Sequence, residues 1–383
     1  MKLSASLTAL AAAMGASATF DIPAFEQFAI DSGLALAGLN GIALLQSATK
    51  YGGSCNLGNV KIRREWRTLS KEQRRSYIKA VQCVQDKPSR LEEGVAPGAK
   101  TLFDDFVYVH MNATPVIHYT GNFLIWHRNF IHAYEKELNA CGYKDALPYW
   151  EWGFDVEAPH LSPVFDGSDT SMSGDGEFVD GPPLELAIPG NPEPVVLAKG
   201  TGGGCVKTGP FANMTVHLGP ITQPDPTADN PRCLKRDLNA DAGKRFASFR
   251  NTTELILNSP TIEYFRTVLE GDPAYAPMSL GVHGGGHFII SGDPGSDAFI
   301  SPGDPAFYLH HAQVDRVYWI WQMLDFENRQ GVFGTNTMLN YPPSENTTVE
   351  DTVDVGHLGG PIKIKNLMST IGQNGSPLCY IYL

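Results

Sequence analysis

The spacing of apolar residues along the chain predicts five main helices. In each of them apolar side chains recur at i, i+3 and i+4, the spacing that forms one face of a helix. The expected helices are Ser70 to about Gln85, Thr101 to about Asn112, Asn122–Asn139, Thr253–Glu270, and Asp304 to about Phe326. The second should end before Thr114-Pro115, because a residue that precedes proline disfavours helical angles.

Three of these helices have, at one end, a short sequence pattern that is typical of a helix start or a helix end. The stretch Ser70-Lys71-Glu72-Gln73 resembles a capping box, in which the first and last side chains satisfy free backbone N–H groups. Gly142 provides a stop after the third helix. Asp304-Pro305 is typical of an N-cap followed by proline at the first helical position.

Between about residues 155 and 245 the helical pattern gives way to glycine, proline, aspartate and serine, as in "DGSDTSMSGDGEFVDGPP". Such a composition predicts a loop-rich insertion and not a separate domain. The tail segments "GGPIKIKNLM" and "LCYIYL" alternate in a way that is typical of short strands. The predicted fold class is mainly α, a four-helix-bundle core with long irregular loops and a few short strands. Residues 55–383 form its single domain.

The first eighteen residues have the pattern of a secretory signal peptide. Lys2 is the charged start, Leu7 to Met14 is an apolar core, and Ala16-Ser17-Ala18 is a small-residue cleavage site. The alternative is a mobile N-terminal tail. Residues 19–54 would then be an N-terminal extension or a propeptide. No later stretch has the roughly 20 apolar residues needed to cross a bilayer, so a secreted, extracellular protein is expected.

The cysteine count fits the same compartment. An even number of cysteines in a secreted chain predicts three disulfides, for which 15 pairings exist. The candidates are Cys55, Cys83, Cys141, Cys205, Cys233 and Cys379. Cys205–Cys233 is the favoured pair, because both lie in the loop-rich segment. Five glycosylation sequons begin at Asn112, Asn213, Asn251, Asn346 and Asn374.

Charge excludes some classes of partner. The formal net charge is -12, and no long basic run is present. This disfavours nucleic acid or an anionic membrane surface as the main partner. With 42% hydrophobic and 10% aromatic residues, the chain can bury a substantial core.

Three histidines are predicted to meet near the second and third helices. His110 shares a helix face with Phe103, Phe106 and Val107, and His127 shares one with Phe123, Phe130, Tyr134 and Leu138. His118 lies on the connection between these helices. His132 shares a side with Arg128, Asn129, Glu135 and Lys136, so it is expected to be solvated. A single buried histidine is usually a hydrogen-bonded core residue, but three converging imidazoles favour a metal.

A second group begins in "GVHGGGHFII". His283 and His287 are four residues apart, which on a helix directs two imidazoles at one point. This is not the HExxH motif, since Gly284 follows His283, so the catalytic base of a zinc protease is absent. Each of the three glycines costs a helix about 1 kcal/mol against alanine. They indicate either close packing at that point or space that a substrate needs.

The adjacent residues His310 and His311 are predicted to have different roles, because neighbouring residues on a helix point about 100° apart. His310 belongs to an apolar stripe with Phe307, Val314, Val317 and Trp321. His311 belongs to a second stripe with Asp315, Tyr318 and Gln322, which suits a ligand with a polar group one turn away. The metal is therefore assigned to His311, and His310 is given a structural or supporting role.

The predicted ligands form two sets of three neutral imidazoles, with no carboxylate or thiolate in either set. They are His110, His118 and His127, and His283, His287 and His311. Copper suits such a set better than iron, magnesium or calcium, although ligand type alone leaves zinc open.

With these motifs the chain resembles the tyrosinase, catechol oxidase and haemocyanin family of dinuclear copper proteins, over about residues 60–330. The segment "HYTGNFLIWHRNFIHAYE" at 118–135 is similar to the family's first copper motif, and "DPAFYLHHAQVDR" at 304–316 to its second. In the second motif the ligand is the second histidine, His311. His283 and His287 match the family's HxxxH, His110 fits its first ligand by position, and "LPYWEW" at 147–152 is also similar.

The resemblance implies two copper ions and the oxidation of o-diphenols to o-quinones by dioxygen, with weaker monophenol hydroxylation. A true tyrosinase, strongly active on monophenols, is the alternative. An oxygen-binding protein, a dinuclear zinc hydrolase and a purely structural glycoprotein rank lower. Asp315 would orient a ligand or pair with an arginine such as Arg128 or Arg316. Gly284 and Phe288 would line the substrate pocket.

At three points the sequence differs from known members of the family, and each difference changes what the resemblance implies. Val116 stands where many fungal and molluscan members carry a cysteine that is crosslinked to the second ligand, so that crosslink is not expected. Gly284 stands where some monophenol-active members have asparagine, which favours diphenol oxidation. The chain ends at Leu383, so no C-terminal lid over the site is expected.

Overall fold

A computed structural model describes residues 22–383 of the chain, in which helices alternate with long irregular connections. The helices are α1 Ile22–Asp31, α2 Leu34–Ser47, α3 Lys71–Asp86, α4 Leu102–Ile117, α5 Phe123–Ala140, α6 Ala240–Phe246, α7 Phe249–Asn258, α8 Ile262–Glu270, α9 Gly281–Ile290 and α10 Phe307–Leu324. The strands are β1 Lys61–Arg63, β2 Gly176–Phe178, β3 Leu184–Leu186, β4 Val195–Leu197, β5 Gly203–Val206, β6 Thr215–Val216, β7 Arg232–Cys233, β8 Thr352–Asp354, β9 Pro361–Lys363 and β10 Tyr380–Tyr382. The mainly α fold class is confirmed.

Helices α4, α5, α9 and α10 form the four-helix core that positions the histidines. Their inner faces are large and apolar, and aromatic rings fill the space between them. Tyr134 of α5 stacks on Tyr308 of α10 with ring centroids 3.5 Å apart, and Phe106 of α4 meets Tyr134 edge to face at 5.2 Å. Aromatic pairs of this kind add to the free energy gained by burial, so they hold the helices in a defined register.

Two predicted helix boundaries that depend on a local sequence signal are confirmed. Ser70 and Gln73 form the capping box before α3. Gly142 follows α5 with a φ of 91°, the left-handed geometry that favours glycine, and its N–H bonds to the carbonyl of Asn139.

Three helix boundaries were predicted wrongly. Helix α4 continues through Pro115 to Ile117, because Thr114 and Ile117 on either side of the proline are buried and the hydroxyl of Thr114 bonds to the carbonyl of His110 at 2.8 Å. The helix expected over 253–270 is two helices, α7 and α8, separated at Ser259-Pro260. Helix α10 begins at Phe307 and not at Asp304.

The side of α5 that carries His132, the residue predicted to be solvated, is mostly buried. Glu135 is covered by β1, where the Arg63 guanidinium lies 2.6 Å from its carboxylate. Arg128 is fully buried against α10. His132 is half-buried, neither of its ring nitrogens has a hydrogen-bond partner, and burial lowers its pKa to about 3. The prediction failed because the covering residues come from distant parts of the chain.

The insertion and the tail form small sheets at the periphery. Strand β2 pairs with β5, β3 with β4, β6 with β7 and β8 with β9, all antiparallel, whereas β1 and β10 pair in parallel. The disulfides are Cys55–Cys379, Cys83–Cys141 and Cys205–Cys233. The predicted Cys205–Cys233 pair is therefore confirmed.

The N-terminal helices pack on the body of the protein. Leu36, Leu39 and Ala43 of α2 are buried. The Asn40 side chain donates to the carbonyl of Tyr382 at 3.1 Å and accepts from Arg316 of α10 at 3.0 Å. Residues 22–54, expected as an extension or a propeptide, are thus joined to both α10 and the C-terminal strand.

The predicted signal peptide, residues 1–18, lies outside the described residues. Among residues 22–383, no single helix is long and apolar enough to cross a membrane. The pair Pro23–Asp31 and Leu34–Ser47 meets that criterion only when both helices are taken together, and they are bent at 77° to each other.

Candidate metal centre

The first group of histidines lies where α4, α5 and their connection meet. His110 comes from the middle of α4, His118 follows its last residue, and His127 lies in the second turn of α5. One ring nitrogen of each lies within 4.8 Å of the others, and all three side chains are buried. The Nε2 atoms of His110 and His127 are 3.4 Å apart.

Hydrogen bonds at Nδ1 determine which nitrogen of each of these histidines carries a lone pair. The Nδ1 atoms of His110, His118 and His127 lie 2.9, 3.3 and 2.9 Å from the backbone carbonyls of Phe299, Thr114 and Phe123. A carbonyl only accepts, so Nδ1 carries the proton in each ring and Nε2 presents a lone pair. Several lone pairs that face one another in a buried space require a cation between them.

The second group lies between α9 and α10. His283 and His287 share one face of α9, and His311 faces them from α10. The Nε2 atom of His287 is 3.1 Å from the Nε2 atoms of both His283 and His311. Three imidazole nitrogens therefore converge on one point here as well.

The two groups are neighbours. The rings of His127 and His311 stack with centroids 4.5 Å apart, and those of His118 and His283 are 5.9 Å apart. Two metal ions bound to these groups would share one enclosed space.

Electrostatics in this space keep the imidazoles neutral. Burial lowers the pKa of His118 to about 4 and that of His287 to about 3. It lowers the pKa of His110, His127, His283 and His311 well below the ordinary histidine value. A neutral imidazole is the form that binds a metal, so the donor set fits copper.

His310 also lies within metal-binding reach of the second group. Its ring is fully buried, neither nitrogen has a hydrogen-bond partner, and it packs against Trp152 with ring centroids 5.3 Å apart. A Cβ at Gly286 would lie 2.3 Å from its Nδ1 atom. The glycine at 286 therefore makes room for His310, while His311 has the shorter approach to His287 through Nε2.

The glycines of α9 serve two purposes, as the sequence suggested. Gly285 and Gly286 allow close packing, since a Cβ at Gly285 would lie 2.7 Å from the Cβ of Phe246. At Gly284 a Cβ would meet only the side chain of Leu280, and this residue lines a cavity.

The cavity has a volume of about 430 Å³ and opens onto both histidine groups. His118, His283 and His287 line it, and so do Gly284 and Phe288, the two residues assigned to the substrate pocket from the sequence. Its walls are mainly apolar, which suits an aromatic ring. Part of the wall comes from the turn between β3 and β4, which belongs to the insertion.

Sequence reasoning missed Glu270, which is buried at the end of α8 and lines the same cavity. Its carboxylate accepts from the N–H of Tyr119 at 2.7 Å and from Arg266 at 3.2 Å. Burial raises its pKa to about 8, although Arg266 opposes the shift. No periodic pattern marks this residue, because only the fold brings it close to His118.

Among residues 22–383, no histidine forms a hydrogen bond or an ion pair with Asp315. It pairs with Arg128 at 2.6 Å and accepts from Tyr380 and Tyr382, both at 2.6 Å. Of the two predicted roles, the structure therefore shows the ion pair with an arginine. The other arginine considered, Arg316, pairs with Glu151.

Comparison with known proteins identifies relatives of this arrangement. Residues 100–324 match the family profile described as the common central domain of tyrosinase. Tyrosinase P of Aspergillus terreus is 39% identical over 363 residues, which cover 90% of this chain and 98% of that protein. N-acetyl-6-hydroxytryptophan oxidase of Emericella nidulans is 36% identical over 351 residues, 86% of this chain and 93% of that protein.

A solved structure is similar over nearly the whole chain. It is a variant of the polyphenol oxidase of Thermothelomyces thermophila, with a TM-score of 0.85 and 40% sequence identity. The match covers 91% of this chain and 98% of that one. The fold described above is therefore shared with a solved polyphenol oxidase.

Proposed function

Because this chain belongs to the tyrosinase family, whose members are dinuclear copper oxidases, we propose that it oxidises o-diphenols to o-quinones. In the net reaction two diphenols lose two electrons and two protons each, and one dioxygen becomes two molecules of water. One observation carries the proposal: two groups of neutral imidazoles converge beneath an apolar cavity large enough for a phenol.

In this proposal six histidines hold the two copper ions, three for each ion. The first ion is assigned to His110, His118 and His127, and the second to His283, His287 and His311. The bound copper pair supplies the redox chemistry that couples dioxygen to the phenol. Burial holds all six imidazoles neutral. In the first group, the hydrogen bonds at Nδ1 also direct the Nε2 lone pairs inwards.

The cavity residues have separate tasks. The apolar side chains, among them Phe288 and Leu280, exclude water and hold the aromatic ring. Gly284 leaves space above His283 for the ring to approach. Glu270 is the buried acidic group of the cavity, and its raised pKa suits it to accept a phenolic proton near neutral pH.

Diphenol oxidation is favoured over monophenol hydroxylation by the residue after His283. Gly284 stands where some monophenol-active relatives have asparagine, so the chain lacks that polar side chain beside the second ligand group. True tyrosinase activity is the second candidate, because a relative that matches 98% of its own length is named Tyrosinase P.

We also propose that the protein is secreted. Three disulfides support an oxidising compartment, because such bonds are rare in the cytosol. Cleavage after Ala18 would release the mature chain, and N-terminal sequencing of the secreted protein tests this directly.

Oxygen consumption by the purified, copper-loaded protein tests the activity. Catechol should be oxidised at once, whereas phenol should react slowly or after a lag. Equal rates without a lag on both substrates would favour the tyrosinase alternative. Two bound copper ions with reversible oxygen binding and no catechol turnover would instead indicate an oxygen-binding protein.

A further inference from the structure

The wall of the cavity away from the histidines is built by the β3–β4 hairpin. The cavity is lined there by Glu185, Leu186, Ala187, Ile188 and Pro189. In β3, Glu185 is exposed, whereas Leu184 and Leu186 are partly buried. Glu185 is therefore an exposed residue that also lines the cavity.

Apart from the proposed copper ions, the charged groups that line the cavity are acidic. None of its lining residues is lysine or arginine, and its acidic residues are Glu185 and Glu270. Glu270 is buried and bonded to Arg266. Within residues 22–383, no ion pair or side-chain hydrogen bond joins Glu185 to another residue. Glu185 thus contributes an uncompensated negative charge at the entrance.

The size of the cavity leaves room for a ring substituent. An apolar cavity of about 150 Å³ accommodates benzene, and this one measures about 430 Å³. A ring placed at Gly284, above the histidines, would direct a substituent at its far side towards the hairpin.

We propose that Glu185 makes the enzyme selective for o-diphenols whose side chain carries a positive charge, such as an amine, over those that carry a carboxylate. This inference rests on the proposed diphenol oxidation. The negative charge attracts the ammonium group and repels the carboxylate at the same position. Because Glu185 is exposed, solvent weakens the interaction, and the expected change in selectivity is about two- to fivefold.

Three catechols test the proposal: the unsubstituted compound, the 2-aminoethyl derivative and the 2-carboxyethyl derivative. The unaltered protein should have the lowest KM for the aminoethyl compound and the highest for the carboxyethyl compound, with similar kcat values. Glu185→Gln should reduce the ratio of their kcat/KM values, and Glu185→Lys should reverse the preference. Raising the salt concentration should reduce the ratio in the unaltered protein but not in Glu185→Gln, which has no charge at this position.

Glu193→Gln is the matched control. Glu193 is an exposed glutamate of the same hairpin that does not line the cavity, so this variant makes the same change in net charge. Its ratio should equal that of the unaltered protein. If catechol is oxidised but Glu185→Gln and Glu193→Gln behave alike, the selectivity proposal is wrong while the diphenol activity stands. If catechol itself is not oxidised, both proposals fail.

Discussion

Arg128 of α5 and Asp315 of α10 form a fully buried ion pair, with Nε and Oδ1 2.6 Å apart. Arg128 directly follows His127, and Asp315 lies one helical turn after His311. The pair therefore joins the helices that carry a histidine of each group. Tyr380 and Tyr382 of β10 bond to the second oxygen of Asp315, so the C-terminal strand completes the connection.

Replacing Asp315 by alanine should strongly destabilise the protein. Arg128 and Arg63 would lose their shared carboxylate in the interior, and an unpaired buried charge typically costs about 3–5 kcal/mol. The free energy of unfolding in urea measures this loss. The control is Glu254→Ala, which removes the exposed partner of Arg250 and should cost no more than about 1 kcal/mol. Equal losses in the two variants would contradict the role assigned to the Arg128–Asp315 pair.

Separate alanine variants of His310 and His311 test which neighbour binds copper. His311→Ala should retain about one copper ion per chain, because the second group loses a converging Nε2 atom. His310→Ala should retain two copper ions and lose stability through the cavity that it leaves. Elemental analysis after reconstitution measures both. A single copper ion in the His310 variant alone would mean that the ligand assignment is reversed.

The two glycines of α9 should respond differently to alanine. Gly286→Ala places a methyl group 2.3 Å from His310 Nδ1, so we expect a destabilisation of about 1–3 kcal/mol. Gly284→Ala meets only Leu280, at 3.0 Å, and should fold normally while raising the KM for catechol. Thermal unfolding and steady-state kinetics separate these outcomes. Loss of folding in the Gly284 variant would show that this position is packed and not open to substrate.

Glu270→Gln should slow catechol oxidation without removing copper. The amide can still accept a hydrogen bond from Tyr119 but cannot take up a proton, and loss of a general base typically slows a reaction about 10²–10⁴-fold. The effect should fall on kcat more than on KM. Glu263→Gln, on the same helix but outside the cavity, should leave the rate unchanged. A normal rate in the Glu270 variant would exclude the proton-accepting role.

Stability should depend on the protonation of Glu65, which lies far from the histidines in the chain and does not line the cavity. Burial raises its pKa from 4.5 to about 7, although Arg67 opposes the shift. The folded protein therefore binds this proton more tightly than the unfolded chain does. The stabilisation is fully present below pH 4.5 and is lost as the pH rises through 7.

Urea unfolding at pH 5 and pH 8 tests this dependence. The unaltered protein should lose more stability between these two values than Glu65→Gln, because glutamine does not titrate. Other groups titrate in both proteins, so the difference between them isolates Glu65. An identical loss in both would mean that the carboxylate is already ionised at pH 5.

Elements whose determinants are close in sequence could be predicted well. The capping box at Ser70 and Gln73, the stop at Gly142 and the i, i+4 pair His283 and His287 each depend on contacts within one or two helical turns. The helix period also led to different roles for His310 and His311. This assignment stays a prediction, because both residues lie within metal-binding reach of the second group.

Predictions failed where the deciding partner is distant in sequence. Pro115 stays within α4 because buried contacts override a local bias. His132 was expected to be solvated, but it is half-buried, and Glu135 on the same side of α5 is covered by Lys61 and Arg63 of β1. Periodicity on one helix cannot reveal a strand that packs on its polar side.

The sequence alone determined the two sets of histidines, their neutral imidazole chemistry and the helices that carry them. It could do so because residue type and helical period are local properties. The tertiary structure decided which carboxylates lie beside the cavity. Glu270 and Glu185 line it only when α8 and the β3–β4 hairpin pack together. Such placement depends on the burial of surfaces far apart in the chain, and no stretch of sequence contains it.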